Sequence, residues 1–236
     1  MHLDGKVAVV TGVSKGIGLA VAEMLLSKGV VVAGWSRTAP PFKHEHFHFY
    51  ATDVADIESV NSSYNLTVKA LGEVNILINN AGLGYMGLID QMPVEEWTEM
   101  FNVNVNGVFF CSQMVIPSMR EKGEGYIFNI ASIAGLQASE GFAGYAGTKF
   151  AVRGISQAMY KELREYGVKV TCICPGSVST NFFDNIEQIS VTENMMKPHD
   201  IAESILYCLQ TSENYHPVEL EVRPLMPKGR KKYVSE

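Results

Sequence analysis

The chain has 236 residues, 47% of them hydrophobic and 19% charged, with a formal net charge of −6. This balance supports a buried core and excludes an intrinsically disordered chain, and no apolar run approaches the roughly 18 residues that span a bilayer. An acidic chain has no whole-molecule attraction for nucleic acid or anionic lipid, so neither is expected as a partner.

The first residues, Met1 to Lys6, lack a basic segment followed by an apolar stretch, so no signal peptide and a cytoplasmic location are expected. From there, short β-branched runs alternate with stretches of helical periodicity. Residues 7–10 read as a strand, followed by a helix with Ile17, Val21, Met24 and Lys28 in one row and Gly29 at its end. Residues 30–33 and 46–50 read as strands around a Pro40-Pro41 loop, 56–71 as a helix, and 75–78 as a fourth strand. A long helix is expected over 93–119, with Pro93 in its first turn and Gly123 beyond its end. Then follow a strand over 126–130, a helix over 145–166, a strand over 168–174, a helix over 198–210 and a last strand over 218–222. The basic residues Lys228, Arg230, Lys231 and Lys232 read as a solvated tail over 228–236. Continuous apolar strands alternating with amphipathic helices predict one α/β domain over 1–236, a mostly parallel sheet covered on both faces. Its ligand crevice belongs at the carboxyl ends of the strands, where strand order reverses.

The residues that follow the strands carry the chemistry. After the first comes Thr11-Gly12-Val13-Ser14-Lys15-Gly16-Ile17-Gly18, a G-x-x-x-G-x-G turn in which backbone N–H groups and a helix terminus can approach a pyrophosphate. The second strand runs out through Gly34-Trp35-Ser36-Arg37-Thr38, without the carboxylate that an NAD site uses on its ribose. Arg37, with Ser36 and Lys15, suits a 2′-phosphate, so NADP is expected rather than NAD. Tyr145 and Lys149 are four apart at the start of a helix, hence on one face, where an ammonium beside a phenol is expected to lower the tyrosine pKa. Ser132, after the fifth strand, could hydrogen-bond a substrate oxygen beside that tyrosine.

Taken together with Asn79-Asn80-Ala81-Gly82, Asn104 and Pro175-Gly176-Ser177-Val178-Ser179-Thr180, this set resembles the short-chain dehydrogenase/reductase family, in motif order and in the thirteen-residue spacing of Ser132 and Tyr145. The resemblance covers about residues 3–225 and implies a Rossmann-type doubly wound sheet of seven strands. It implies Tyr145 as general acid or base, Lys149 on the nicotinamide ribose hydroxyls, Ser132 polarising the carbonyl, and Asn104 supporting a water that links Lys149 to solvent. It also implies that Asp53 and Val54 cradle adenine, that Asn80, Ala81 and Gly82 run beside the ribose, and that Thr180 bonds the carboxamide. Gly12, Ser14, Lys15, Gly16, Ile17, Gly18, Ser36, Arg37, Pro175, Gly176 and Val178 complete the expected cofactor contacts. The activity implied is hydride transfer between a nicotinamide and a carbonyl or secondary alcohol, in a homodimer or homotetramer paired through the two long helices.

The substrate is less legible. Gly84, Tyr85 and Met86, then Gln137, Ser139, Glu140 and Phe142, and a lid over 180–197 with Phe182, Phe183, Met195 and Met196 are the candidate pocket residues, a mainly apolar wall suited to a nonionic carbonyl compound or an acyl chain. The chain also resembles 3-oxoacyl-acyl-carrier-protein reductases in its cofactor half, but its ending, Val218 to Pro224, lacks their glycine-rich closing segment. A non-catalytic NADP-binding sensor or scaffold is the reading of a different class; it would be expected to lose Tyr145 or Lys149, and both are present. No metal site is expected. His44, His46 and His48 alternate with Phe47 and Phe49 as on a half-buried strand, and Cys111, Cys172, Cys174 and Cys208 read as small buried hydrophobes, although Cys172 and Cys174 would share a strand face.

Overall fold

Each central strand feeds two cores, because successive side chains point to opposite faces of the sheet. In the computed structural model, which describes residues 1–180, 182 and 192–227, β1 (Val7–Thr11) is buried along its whole length. Its Ala8 and Val10 face one helical layer, and Val9 the other. Strands β2 (Val31–Ser36), β3 (Phe47–Ala51), β4 (Ile76–Asn79), β5 (Gly125–Ile130), β6 (Val168–Pro175) and β7 (Glu219–Val222) complete a seven-stranded sheet in the order β3-β2-β1-β4-β5-β6-β7. Every pairing is parallel. Helices α1 (Gly16–Leu26) and α6 (Pro198–Leu209) pack with Val10, Ile78 and Phe128 on one face. Helices α2 (Ile57–Leu71), α4 (Gly107–Lys122) and α5 (Ala143–Leu163) cover Val9, Leu77 and Ile127 on the other. The order reverses between β1 and β4, so the crevice opens at the ends of those two strands, as such a sheet requires.

The expected helix over 93–119 is not uniform. It comprises α3 (Val94–Phe101), a π-helical turn (Asn102–Asn106) and α4, which Gly123 ends in the left-handed conformation. The widened turn carries Asn104 inward, where its amide is held by Leu83 and Thr148, and such single-turn widenings recur at functional sites. Strand β2 runs on through Gly34, Trp35 and Ser36, which pair with Phe49, Tyr50 and Ala51 of β3. The alternating histidines are not one strand face. His44 and His46 precede β3 and are exposed, and Phe49 is itself exposed on this edge strand. Of the expected lid, residues 181 and 183–191 lie outside the described residues, as does the basic tail 228–236.

Candidate active site

A cavity of about 720 Å³ lies over the carboxyl ends of β1, β2, β4, β5 and β6. One end of it is built by the turn after β1. Gly12 and Gly16 have φ of 72° and 63°, which only glycine adopts freely. A β carbon on Gly18 would sit 2.3 Å from the Gly12 carbonyl oxygen, so the turn closes onto α1 only with glycine there. No side chain caps the first turn of α1, which leaves its backbone N–H groups facing the cavity mouth. Thr11 ties the turn to β4: its hydroxyl donates to the Ile78 carbonyl and accepts from the Asn80 and Ala81 N–H groups, both at 2.9 Å. Asn80 returns the link by donating to the Thr11 carbonyl at 2.9 Å.

At the outer end, Ser36, Arg37, Asp53, Val54 and Val103 line the wall. Arg37 and Lys15 are exposed and line the cavity, whereas the Ser36 hydroxyl donates to the Thr38 carbonyl at 2.7 Å. Glu99, which the sequence reading missed, also lines this end and accepts a 2.6 Å hydrogen bond from the Tyr85 hydroxyl. That bond, with burial and the carboxylate charge, pushes the Tyr85 phenol up to about 12.

The inner end brings Ser132, Tyr145 and Lys149 together. Ser132 follows just beyond β5 in an extended conformation and caps the short turn after it, its hydroxyl accepting from the Ala134 N–H at 3.1 Å. Its hydroxyl also pairs with the Tyr145 phenol. The Lys149 Nζ lies 5.6 Å from the centre of the tyrosine ring and donates to the Ile130 carbonyl at 2.9 Å. Burial lowers the Lys149 pKa to about 8, so its ammonium persists at neutral pH but is easily lost above it. The expected lowering of the tyrosine pKa is overturned. Burial pushes the phenol up to about 12, and the hydrogen bond with Ser132 offsets only part of that.

Of the expected cofactor residues, all but Gly18 line the cavity; Gly18 acts from behind, through the close packing of the turn. Asn104 is also behind the wall. Its Oδ1 accepts from the Leu83 N–H at 2.9 Å, and its Nδ2 donates to the Leu83 carbonyl at 2.8 Å and to the Thr148 hydroxyl at 3.0 Å. Among the substrate candidates, Gly84, Tyr85, Gln137, Ser139, Phe142 and Phe182 line the cavity. Met86, Glu140, Met195 and Met196 are not on its wall; Met86 packs toward Gly141, and Met196 pairs its backbone with Ser177 and Ser179. Phe183 lies outside the described residues. The Phe182 ring stands 5.5 Å from that of Tyr145, and a β carbon on Gly84 would come within 3.1 Å of both, so glycine there keeps the pocket open.

A family model for short chain dehydrogenases matches residues 6–190. The chain belongs to that family. An uncharacterized oxidoreductase of Staphylococcus aureus strain USA300 is 36% identical over 230 residues, covering 94% of this chain and 99% of the relative. Among solved structures, an alcohol dehydrogenase from the archaeon Thermococcus sibiricus, complexed with 5-hydroxy-NADP, superposes with a TM-score of 0.85 at 28% identity, covering 97% of this chain and 99% of that one. A 3-ketoacyl-(acyl-carrier-protein) reductase from Brucella melitensis, complexed with NADH, gives a TM-score of 0.85 at 25% identity over 95% and 99% of the two chains. This short-chain dehydrogenase is therefore an oxidoreductase by family. No helix among its described residues is long and apolar enough to cross a membrane.

Besides Glu99, wall residues such as Leu83, Val103 and Ile133 were missed, and so were two residues that support the motifs. Thr11 and Thr148 each hold a motif residue in place, and each sits inside or beside a motif that was noticed, so the signal was adjacency to Gly12 and to Lys149.

Proposed function

We propose that this short-chain dehydrogenase is an NADP(H)-dependent enzyme moving a hydride between the nicotinamide and a carbonyl or secondary alcohol carbon. The observation that carries this reading is the convergence of Ser132, Tyr145 and Lys149 on one wall of a cavity whose other end is the glycine turn. That cradle fits a dinucleotide: a β carbon at Gly18 would close it, and the uncapped start of α1 offers N–H donors to a pyrophosphate. The bound cofactor supplies the hydride.

The chain's own residues handle the proton and the orientation. Tyr145 donates its phenolic proton to the substrate oxygen in reduction and accepts it in the reverse direction. Ser132 polarises that oxygen by a hydrogen bond. Lys149 binds the ribose hydroxyls, and its positive charge favours the phenolate left by proton transfer. Asn104 fixes the Leu83 backbone beside this group and supports a water for proton resupply. Thr180 bonds the carboxamide, and Asp53 and Val54 cradle the adenine. Arg37, with Ser36 and Lys15, holds the 2′-phosphate. The similar structures include complexes with an NADP derivative and with NADH, so the cofactor preference rests on Arg37 and on the absence of a carboxylate at the end of β2. Tyr85, Phe142 and Phe182 with Gln137 and Ser139 as polar anchors suit a nonionic carbonyl compound. A 3-oxoacyl-acyl-carrier-protein reductase activity is the second reading, favoured by the likeness to the Brucella enzyme. Against it, β7 is followed by Arg223-Pro224 rather than a glycine-rich segment.

NADPH consumption against ketones, aldehydes, quinones and acyl thioesters tests both readings. On any substrate found, Tyr145→Phe is expected to lower turnover by roughly 10²- to 10⁴-fold while leaving NADPH binding intact. Full turnover in that variant overturns the mechanism.

A further inference from the structure

Away from the cofactor cavity, Cys172, Cys174 and Glu219 bring their ligand atoms within 4.8 Å of one another. The arrangement follows from strand geometry. Residues two apart on β6 share a face, and the β6–β7 register sets Glu219 directly beside Cys172. The two Sγ atoms are 3.9 Å apart. A zinc–thiolate bond of about 2.3 Å implies a tetrahedral sulfur–sulfur edge of about 3.8 Å, so the thiols already stand at the spacing a tetrahedral soft cation needs.

The two thiols sit in one enclosed pocket. Both thiols are buried among Val108, Ala131 and Val152. Arg153 reaches from α5 to grip Glu219 through Nε and Nη2 at 3.0 and 2.9 Å, and its Nη1 donates to the Gly135 carbonyl at 2.8 Å. The side chains of this ion pair are 20% and 30% exposed, which makes it the partly solvated lid of an otherwise buried dithiol.

We propose that Cys172, Cys174 and Glu219 form a binding site for one thiophilic divalent cation of the zinc or cadmium kind. The ion enters at the β7 edge as the Glu219 carboxylate turns from Arg153 onto it. Two thiol protons leave to solvent, two sulfur–metal bonds and one oxygen–metal bond form, and the fourth position faces solvent. Sulfur ligands discriminate against magnesium and calcium.

Cadmium chloride is the probe, because its thiolate complexes absorb in the ultraviolet through sulfur-to-metal charge transfer. Titration of the whole protein should develop this band to saturation at one equivalent. Cys172→Ala and Cys174→Ala should abolish it, and Cys111→Ala and Cys208→Ala should retain it. Glu219→Gln, a change at the partly exposed edge that leaves both thiols in place, should weaken binding roughly tenfold or more while keeping the band. Circular dichroism checks that each variant is folded. Absence of the band in the parent protein, its survival in the folded Cys172→Ala and Cys174→Ala variants, or unchanged affinity in Glu219→Gln overturns the site.

Discussion

Lys149 stands at 5% exposure with one fixed partner, the Ile130 carbonyl, so its charge is held against a desolvation cost. With its pKa lowered to about 8, the ammonium is present below that value and lost above it. The proposed carbonyl reduction, in which both this ammonium and the Tyr145 proton take part, should therefore decline as pH rises through about 8, well before the phenol itself ionises near 12. A pH profile of kcat/KM measures this, and a rate still level at pH 9.5 contradicts it. The same shift has a stability consequence of opposite sense. Because the folded pKa lies below the unfolded one of 10.5, the unfolded chain binds more protons between the two values, and folding gains stability as pH rises through that window. Relative to Lys149→Met, the parent should gain about 2–3 kcal/mol between pH 7 and pH 10, read from urea unfolding at each pH. At the other end of the cavity, Arg37 is the one cation directly after β2. The expected outcome is tighter binding of NADPH than NADH, with Arg37→Asp erasing the difference; equal affinities in the parent would contradict the assignment.

Elements matter here through how they end and where they widen. Strand ends deliver Thr11, Asn80 and Ser132 to one rim because β1, β4 and β5 are parallel neighbours. The π-helical turn before α4 is the least regular part of this architecture and the part that orients Asn104. Three hydrogen bonds from one buried amide join that turn to the loop after β4 and to α5. Asn104→Ala should thus cost about 1–2 kcal/mol of stability in chemical unfolding, since it removes the two hydrogen bonds to the half-buried Leu83 backbone and the one to the buried Thr148 hydroxyl. It should also lower turnover by loosening the wall beside Lys149, and a variant as stable as the parent would remove Asn104 from this role. The helix over 93–119 was legible as helical from its periodicity, but the widened turn was not. Widening is decided by a partner on another element, which local sequence spacing does not encode.

On the scale of the whole molecule, the two helical layers fill both faces of the sheet and leave aromatic side chains exposed on their outer sides. Phe109 of α4 and Phe150 of α5 are 52% and 45% exposed. Each of the two helices expected to pair subunits thus carries a large apolar side chain in water, as Leu66 of α2 and Val94 of α3 also do, and burial against a second copy would stabilise association. Phe109→Glu combined with Phe150→Glu should convert a dimer or tetramer into a monomer in light scattering. An unchanged mass would place the subunit contact elsewhere.

Strand and helix order, the parallel sheet, the glycine turn and the Ser132, Tyr145 and Lys149 set were legible in the sequence, because hydrophobic period and fixed spacings are local properties that reflect one chain segment at a time. Only the tertiary structure decided the direction of the Tyr145 shift, the Tyr85–Glu99 pair, the inward turn of Asn104 and the 3.9 Å approach of two cysteine sulfurs beside Glu219. Each of these depends on desolvation or on partners from separate elements, and both are set by packing in three dimensions.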